Sequence, residues 1–230
     1  MLRLNGYVCL PVLALAASVL FSQDAPTAVR QRALLHPPST FASATATNPR
    51  QLTPVETGDA LLLKHRYQAA IAAYAKSPSM TAGIWNKMGM ANELMANLDE
   101  AVRCYNESLR LDPNFAIYYK NFGTNLIAEK KYRESWEAYK QALALDPGIF
   151  SEDDYRTVGT PAAVHDRGPM YYYMALACVC AGQNSRALDY LRSAMNEGFI
   201  EPEKIASDKE FAALSGDPGF KRLLAEESRQ

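Results

Sequence analysis

The chain has 230 residues, 48% of them hydrophobic and 21% charged, which suits a folded globular protein and excludes wholesale disorder. Its 24 basic and 25 acidic residues leave a formal net charge of -1. That balance gives no electrostatic reason to expect nucleic acid, and no polybasic run is present to hold an anionic membrane surface.

Near the N-terminus, Arg3 precedes an almost continuously apolar run from Val8 to Phe21. At roughly 14 residues this run falls short of the ~20 that span a bilayer. Residues 1–22 therefore read as a secretory signal peptide, with cleavage after Ser22 and Ala16/Ser18 as a second candidate. The expected location is exported, periplasmic or secreted. The alternative is an uncleaved inner-membrane anchor, which would be the protein's sole membrane contact. Cys9 follows Tyr7 and Val8 rather than small residues, which argues against a lipoprotein acceptor. Residues 23–51 are rich in Ala, Ser, Thr and Pro, with Pro26, Pro37, Pro38 and Pro49. Such a segment cannot bury enough surface to offset its ordering entropy and reads as a linker.

An internal repeat follows. The step from Gly89 to Gly123 recurs from Leu98 to Tyr132, Tyr105 to Tyr139, Leu109 to Leu143, Asp112 to Asp146, and Pro113 to Pro147. Trp85 matches Tyr119, Met88 matches Phe122, and Ala101 matches Ser135 at the same offset. Within each half, apolar residues recur three and four apart, which is helical periodicity. Small residues at Gly89, Ala101, Gly123 and Ser135 let two helices approach, and the large ones fill the space beside them. Asp112-Pro113 and Asp146-Pro147 predict helix ends, because the residue before proline is steered away from helical geometry.

This period of about 34 and these residue types resemble the tetratricopeptide repeat family. Asn92 and Leu126 stand where the family has a tyrosine, which loosens inter-helix packing but leaves the assignment intact. The resemblance implies an all-α fold: a right-handed α-solenoid of about four helix-turn-helix hairpins with C-terminal capping helices. The predicted units are about 52–81, 82–115, 116–149 and 168–200, interrupted by an insertion at 150–167. Gly58, Tyr67, Ala70 and Tyr74 fit the first unit, although the step from Ala70 to Ala101 is shorter than the full period. Tyr171, Ala175, Ala187, Leu191 and Ala194 fit the fourth.

Residues 201–230 supply the cap and tail. Ser207 and Glu210 have capping-box spacing before Phe211 and Leu214, and Asp217-Pro218 reads as an N-cap and first helical residue before Phe220, Leu223 and Leu224.

The search for chemistry finds no catalytic residues, cofactor or metal site. His36, His65 and His165 have no partners at ligand spacing. Neither a phosphate-cradling Gly-rich loop nor a Gly-x-Ser-x-Gly turn is present. Glu152, Asp153 and Asp154 read as a solvated helix start, and His165-Asp166-Arg167 are too close in sequence to converge on one substrate atom. Cys104, Cys178 and Cys180 read as buried free thiols; the last two diverge by about 200° on a helix and cannot easily bridge each other.

In the family, the first helix of each hairpin lines a concave groove. The resemblance assigns to it Asn86, Met90, Glu93 and Leu94 from the second unit, Ile117, Lys120, Thr124 and Ile127 from the third, and Tyr172, Leu176 and Val179 from the fourth. Lys120 and Asn121 resemble part of a clamp for a C-terminal carboxylate, which Asn86 and Met90 do not complete. Tyr172 is expected to be an accessible aromatic anchor. The expected function is a non-catalytic adaptor or scaffold binding a protein or peptide in the cell envelope. The alternative is a structural component of an envelope complex that self-assembles through the solenoid ends. The insertion either contacts the groove or is a passive spacer.

Overall fold

In the computed structural model, which describes residues 51–150 and 167–227, helices succeed one another in pairs. The leader, the linker up to residue 50, and residues 151–166 of the insertion lie outside the described residues, along with the readings placed on them. The pairs are α1 (Pro54–Leu63) with α2 (Tyr67–Tyr74), α3 (Ala82–Leu94) with α4 (Leu98–Leu111), α5 (Ala116–Ala128) with α6 (Tyr132–Leu145), and α7 (Arg167–Cys180) with α8 (Asn184–Asn196). After them come α9 (Pro202–Ser207), a 3-10 helix (Lys209–Leu214) and α10 (Pro218–Glu227). The described residues contain no strand. Each hairpin packs its two helices together, and successive hairpins meet through α2–α3, α4–α5 and α6–α7. This is the all-α solenoid of helical hairpins with a C-terminal cap.

Local chemistry sets the helix ends. Thr53 and Glu56 form a capping box at α1: Thr53 Oγ1 accepts from the Glu56 amide at 3.2 Å, and Glu56 Oε2 from the Thr53 amide at 2.8 Å. Thr81 caps α3 by accepting from the Ile84 amide at 3.3 Å. The same turn closes all four hairpins. Arg66 N donates to Leu61 O, Asn97 N to Asn92 O, Lys131 N to Leu126 O and Gln183 N to Cys178 O, each at 2.9 Å. The residue before each of these donors is left-handed: His65, Ala96 and Lys130 with φ of 56–59°, and Gly182 with φ 71°. This is the Schellman arrangement, which satisfies carbonyls that the helix end leaves free.

Between hairpins, Asp112 and Asp146 leave the helix in extended geometry, as their prolines predict. Their carboxylates then accept from the Asn114 amide at 3.1 Å and the Gly148 amide at 2.8 Å. At the C-terminus, Asp217 caps α10 as expected, with its Oδ1 2.7 Å from the Gly219 amide. The preceding turn differs from expectation. Asp208, not Ser207, caps the 3-10 helix by accepting from the Glu210 amide at 3.0 Å, while Ser207 Oγ bonds back to Glu203 O and Lys204 O within α9.

A larger core joins the third and fourth hairpins to the cap, including Tyr139, Leu143, Leu191, Ile205, Phe211 and Leu223. A smaller one holds Ala70, Tyr74 and Ile84. The root of the insertion belongs to the larger core. Ile149 and Phe150 are buried, and Phe150 meets Tyr139 and Tyr190 edge-on at ring-centroid distances of 5.4 and 6.2 Å. Side chains also hold three of the carbonyls there. Arg186 donates to Pro147 O at 2.8 Å, Lys120 to Ile149 O at 3.1 Å and Tyr190 to Phe150 O at 2.8 Å. Cys104 and Cys178 are free and buried, whereas Cys180 is half-buried and disulfide-bonded, so the expectation of three free thiols holds for two.

Candidate partner-binding wall

The first helices of the hairpins line one wall: α3 touches α5, α5 touches α7, and the Lys87–Asp59 ion pair ties α3 to α1. One tyrosine in each of the first three hairpins organises this wall. The rings of Tyr74, Tyr105 and Tyr139 lie over Gly58, Gly89 and Gly123, so close that an added Cβ would come within 2.3, 2.7 and 2.7 Å of them. Passing that gap, each hydroxyl reaches a polar side chain on its own first helix. Tyr74 donates to Asp59 Oδ1 at 2.7 Å, Tyr105 donates to Glu93 Oε2 at 2.6 Å, and Tyr139 pairs with Thr124 Oγ1 at 3.1 Å. All three hydroxyls are held above the usual phenol range, chiefly by burial.

The second and third hairpins bring most of the assigned groove residues together, and much of their hydrogen-bonding capacity is spent internally. Asn121 Nδ2 donates to Asn86 Oδ1 at 3.1 Å, and both side chains are buried. Asn86 Nδ2 in turn lies 3.6 Å from Met90 Sδ. Lys120 is directed at the Ile149 carbonyl and Asn121 at its neighbour, so the pair resembling a carboxylate clamp has internal partners. Thr124 Oγ1 also bonds back to Lys120 O at 3.0 Å. Glu93 is only 1% exposed, and burial pushes its carboxyl up to about 8 against the opposing effect of the Tyr105 hydrogen bond. Ile127 is buried, while Met90, Leu94, Ile117 and Thr124 remain half-buried.

The fourth hairpin departs from expectation. Tyr172 is 9% exposed and donates to Asp208, with the rings of Phe199 and Phe211 each 5.5 Å away. Leu176 is buried and Val179 half-buried. The cap folds back over this stretch of α7, so Tyr172 is a core residue and not an accessible anchor. The mapping from resemblance placed Tyr172 by its position in the repeat and did not foresee that the expected cap would cover it.

Sequence reasoning missed the first hairpin's share of the wall. Asp59 receives Lys87 Nζ at 2.7 and 2.8 Å as well as Tyr74. The signal was available: Asp59 precedes Met90 by the same shortened offset that relates Gly58 to Gly89 and Ala70 to Ala101. The first hairpin also exposes Leu52 (55%) and Leu63 (82%). Among the described residues no cluster of three or more His, Cys, Asp or Glu could hold a metal ion, and no helix is long and apolar enough to cross a membrane.

The tetratricopeptide repeat family profile matches residues 82–115, which are the second hairpin and its exit turn. Solved structures similar to this chain include two crystal structures of MamA. They share 17% and 18% identity with it, cover 63% and 68% of this chain and 76% and 75% of their own, and each gives a TM-score of 0.43. A double mutant of MamA RS-1 aligns at 15% identity and a TM-score of 0.42, over 75% of this chain and 93% of its own. No curated protein matches the chain.

Proposed function

We propose, from the premise that this chain is a tetratricopeptide-repeat protein, that it is a non-catalytic interaction module whose wall of α1, α3 and α5 accepts a segment of another polypeptide. Proteins of this family are generally interaction modules. The observation that carries the finer reading is the division of labour along the wall. Polar groups of the wall are locked to one another, as in the buried Asn86–Asn121 pair and the half-exposed Asp59–Lys87 pair. Met90, Leu94, Ile117 and Thr124 are half-buried on the same helices. Internally paired polar groups beside the partly exposed apolar side chains of Met90, Leu94 and Ile117 suit a peptide held by shape and a few anchors.

The experiment is site-specific photocrosslinking in cells. Probes at Met90 and Ile117 should trap the same discrete partner, and a probe at Arg222 on the exposed side of α10 should not. Equal trapping from all three positions would defeat the reading. Leu94→Asp should weaken capture with helicity retained, since Leu94 is not in either buried cluster. Residues 1–22 would direct this activity to the envelope. An alkaline phosphatase fusion active outside the cytoplasm is expected, and an inactive one would return the protein to the cytoplasm.

Self-assembly is a second reading, favoured by Leu63, which is 82% exposed at the end of α1 in the first hairpin. Light scattering behind size-exclusion chromatography separates the two. A concentration-independent monomer removes self-assembly, and a defined oligomer dissociated by Leu63→Glu supports it.

A further inference from the structure

Glu93 sits at the seam where α3 packs on α4, with α5 beside them through the Tyr105–Phe122 ring contact at 6.3 Å. One carboxyl oxygen takes the Tyr105 hydroxyl at 2.6 Å; the other, Oε1, is buried with no hydrogen-bond partner. A carboxylate offers about four acceptor sites and carries a full charge. A single phenolic donor does not replace the water it gives up, so the site suits the neutral acid far better than the anion.

Among the described residues, the surrounding groups leave no cation to offset ionisation. Tyr105 of α4 and Tyr139 of α6 are the ionisable groups that interact with Glu93 from neighbouring helices, and neither is basic. Lys87 on the same helix is bound by Asp59 of α1, and Lys120 of α5 is directed at Ile149 O. Tyr105 is moreover a shared part: its ring closes over Gly89 of α3 and meets Phe122 of α5. Expelling an ionised Glu93 therefore disturbs the contact that holds α3 in place.

We propose that Glu93 and Tyr105 form a proton-linked latch, which keeps α3 closed against α4 and α5 while Glu93 is protonated and lets α3 open locally when that proton passes to solvent. The latch operates whether or not the wall has a partner. Its sign follows from linkage. A carboxyl that binds its proton more tightly when buried favours the closed state at low pH. That advantage is lost progressively as pH rises from the ordinary carboxyl range, and the loss is complete above about 8.

Hydrogen exchange read by mass spectrometry on the full chain, corrected for the chemical exchange rate, tests this. Peptides within residues 82–94 should open about tenfold more readily per pH unit between pH 5.5 and 7.5, and no further above about 8.5. Peptides from α8 should show no such slope, and Glu93→Gln should flatten the slope in α3. An equal slope in wild type and Glu93→Gln overturns the latch, as does one shared by every helix. Should the variant fail to fold, carbon-13 NMR of the wild-type Glu93 carboxyl decides instead: titration near pH 8 upholds the proposal, and titration below pH 5.5 overturns it.

Discussion

At Gly123 an added Cβ would sit 2.7 Å from Tyr139 Cε1 and 3.3 Å from the Ser135 carbonyl oxygen. The ring is fully buried and the carbonyl is helix backbone, so neither gives way cheaply. Gly123→Ala should destabilise the protein by about 1–3 kcal/mol through overpacking, even though alanine is the better helix former. A thermal melt checks this, and an unchanged or raised midpoint would show that Tyr139 has room to move. Tyr172 permits a paired test of its burial. Tyr172→Phe removes only the bond to Asp208 and should cost about 1–2 kcal/mol. Tyr172→Ala empties a packed site and should cost about 3–5 kcal/mol. Near-neutral results for both would make Tyr172 the surface residue that sequence reasoning expected. That expectation failed because a residue's place in a repeat says which helix face it occupies, but not whether a later segment folds over that face.

At the level of elements, the two central hairpins were legible in the sequence. A constant offset repeats Gly, Tyr and Asp-Pro, and each of these acts through local or nearest-helix physics: close approach, gap filling and helix exit. The first hairpin was legible as existing, yet its contribution to the wall was hidden by its shortened offset. Phe150 was read into the insertion, because only the fold brings the Tyr139 and Tyr190 rings to it from α6 and α8. Asp208 escaped notice for the opposite reason: Ser207 has the better-known capping spacing, and a single step of register decides between them. The hairpin turns were not anticipated either, since three of the four left-handed positions are filled by His65, Ala96 and Lys130 rather than glycine. A side chain there costs about 1–2 kcal/mol. Ala96→Gly should therefore recover about 1 kcal/mol, less the entropy that glycine adds to the unfolded chain, and raise the melting midpoint by about 2–4 °C. Gly182→Ala should move it by a similar amount in the opposite direction. Scanning calorimetry of both variants checks the pair, and shifts of the same sign would show that the turns are not held in this geometry.

At the scale of the whole chain, a stack of hairpins has two ends, and the end hairpins each lack one neighbour. In this protein the fourth hairpin is closed by α9, the 3-10 helix and α10, which place Ile205, Phe211, Leu214, Phe220 and Leu223 in the same core as Tyr172, Leu191 and Ala194. The cap is thus continuous with the main core rather than an appendage to it. Removing residues 201–230 would uncover the buried faces of α7 and α8 together, and no remaining described element is available to cover them. At about 1.5–3 kcal/mol for each fully buried large apolar side chain, the five cap residues contribute an amount comparable to the net stability of a typical domain. The truncated chain should accordingly lose its cooperative melt or aggregate, and the α7–α8 hairpin should become the most protease-sensitive of the four. If the truncated protein stays monomeric and melts cooperatively within a few degrees of the full chain, the fourth hairpin closes its own end. Leu176 and Tyr172 would then be free to extend the wall.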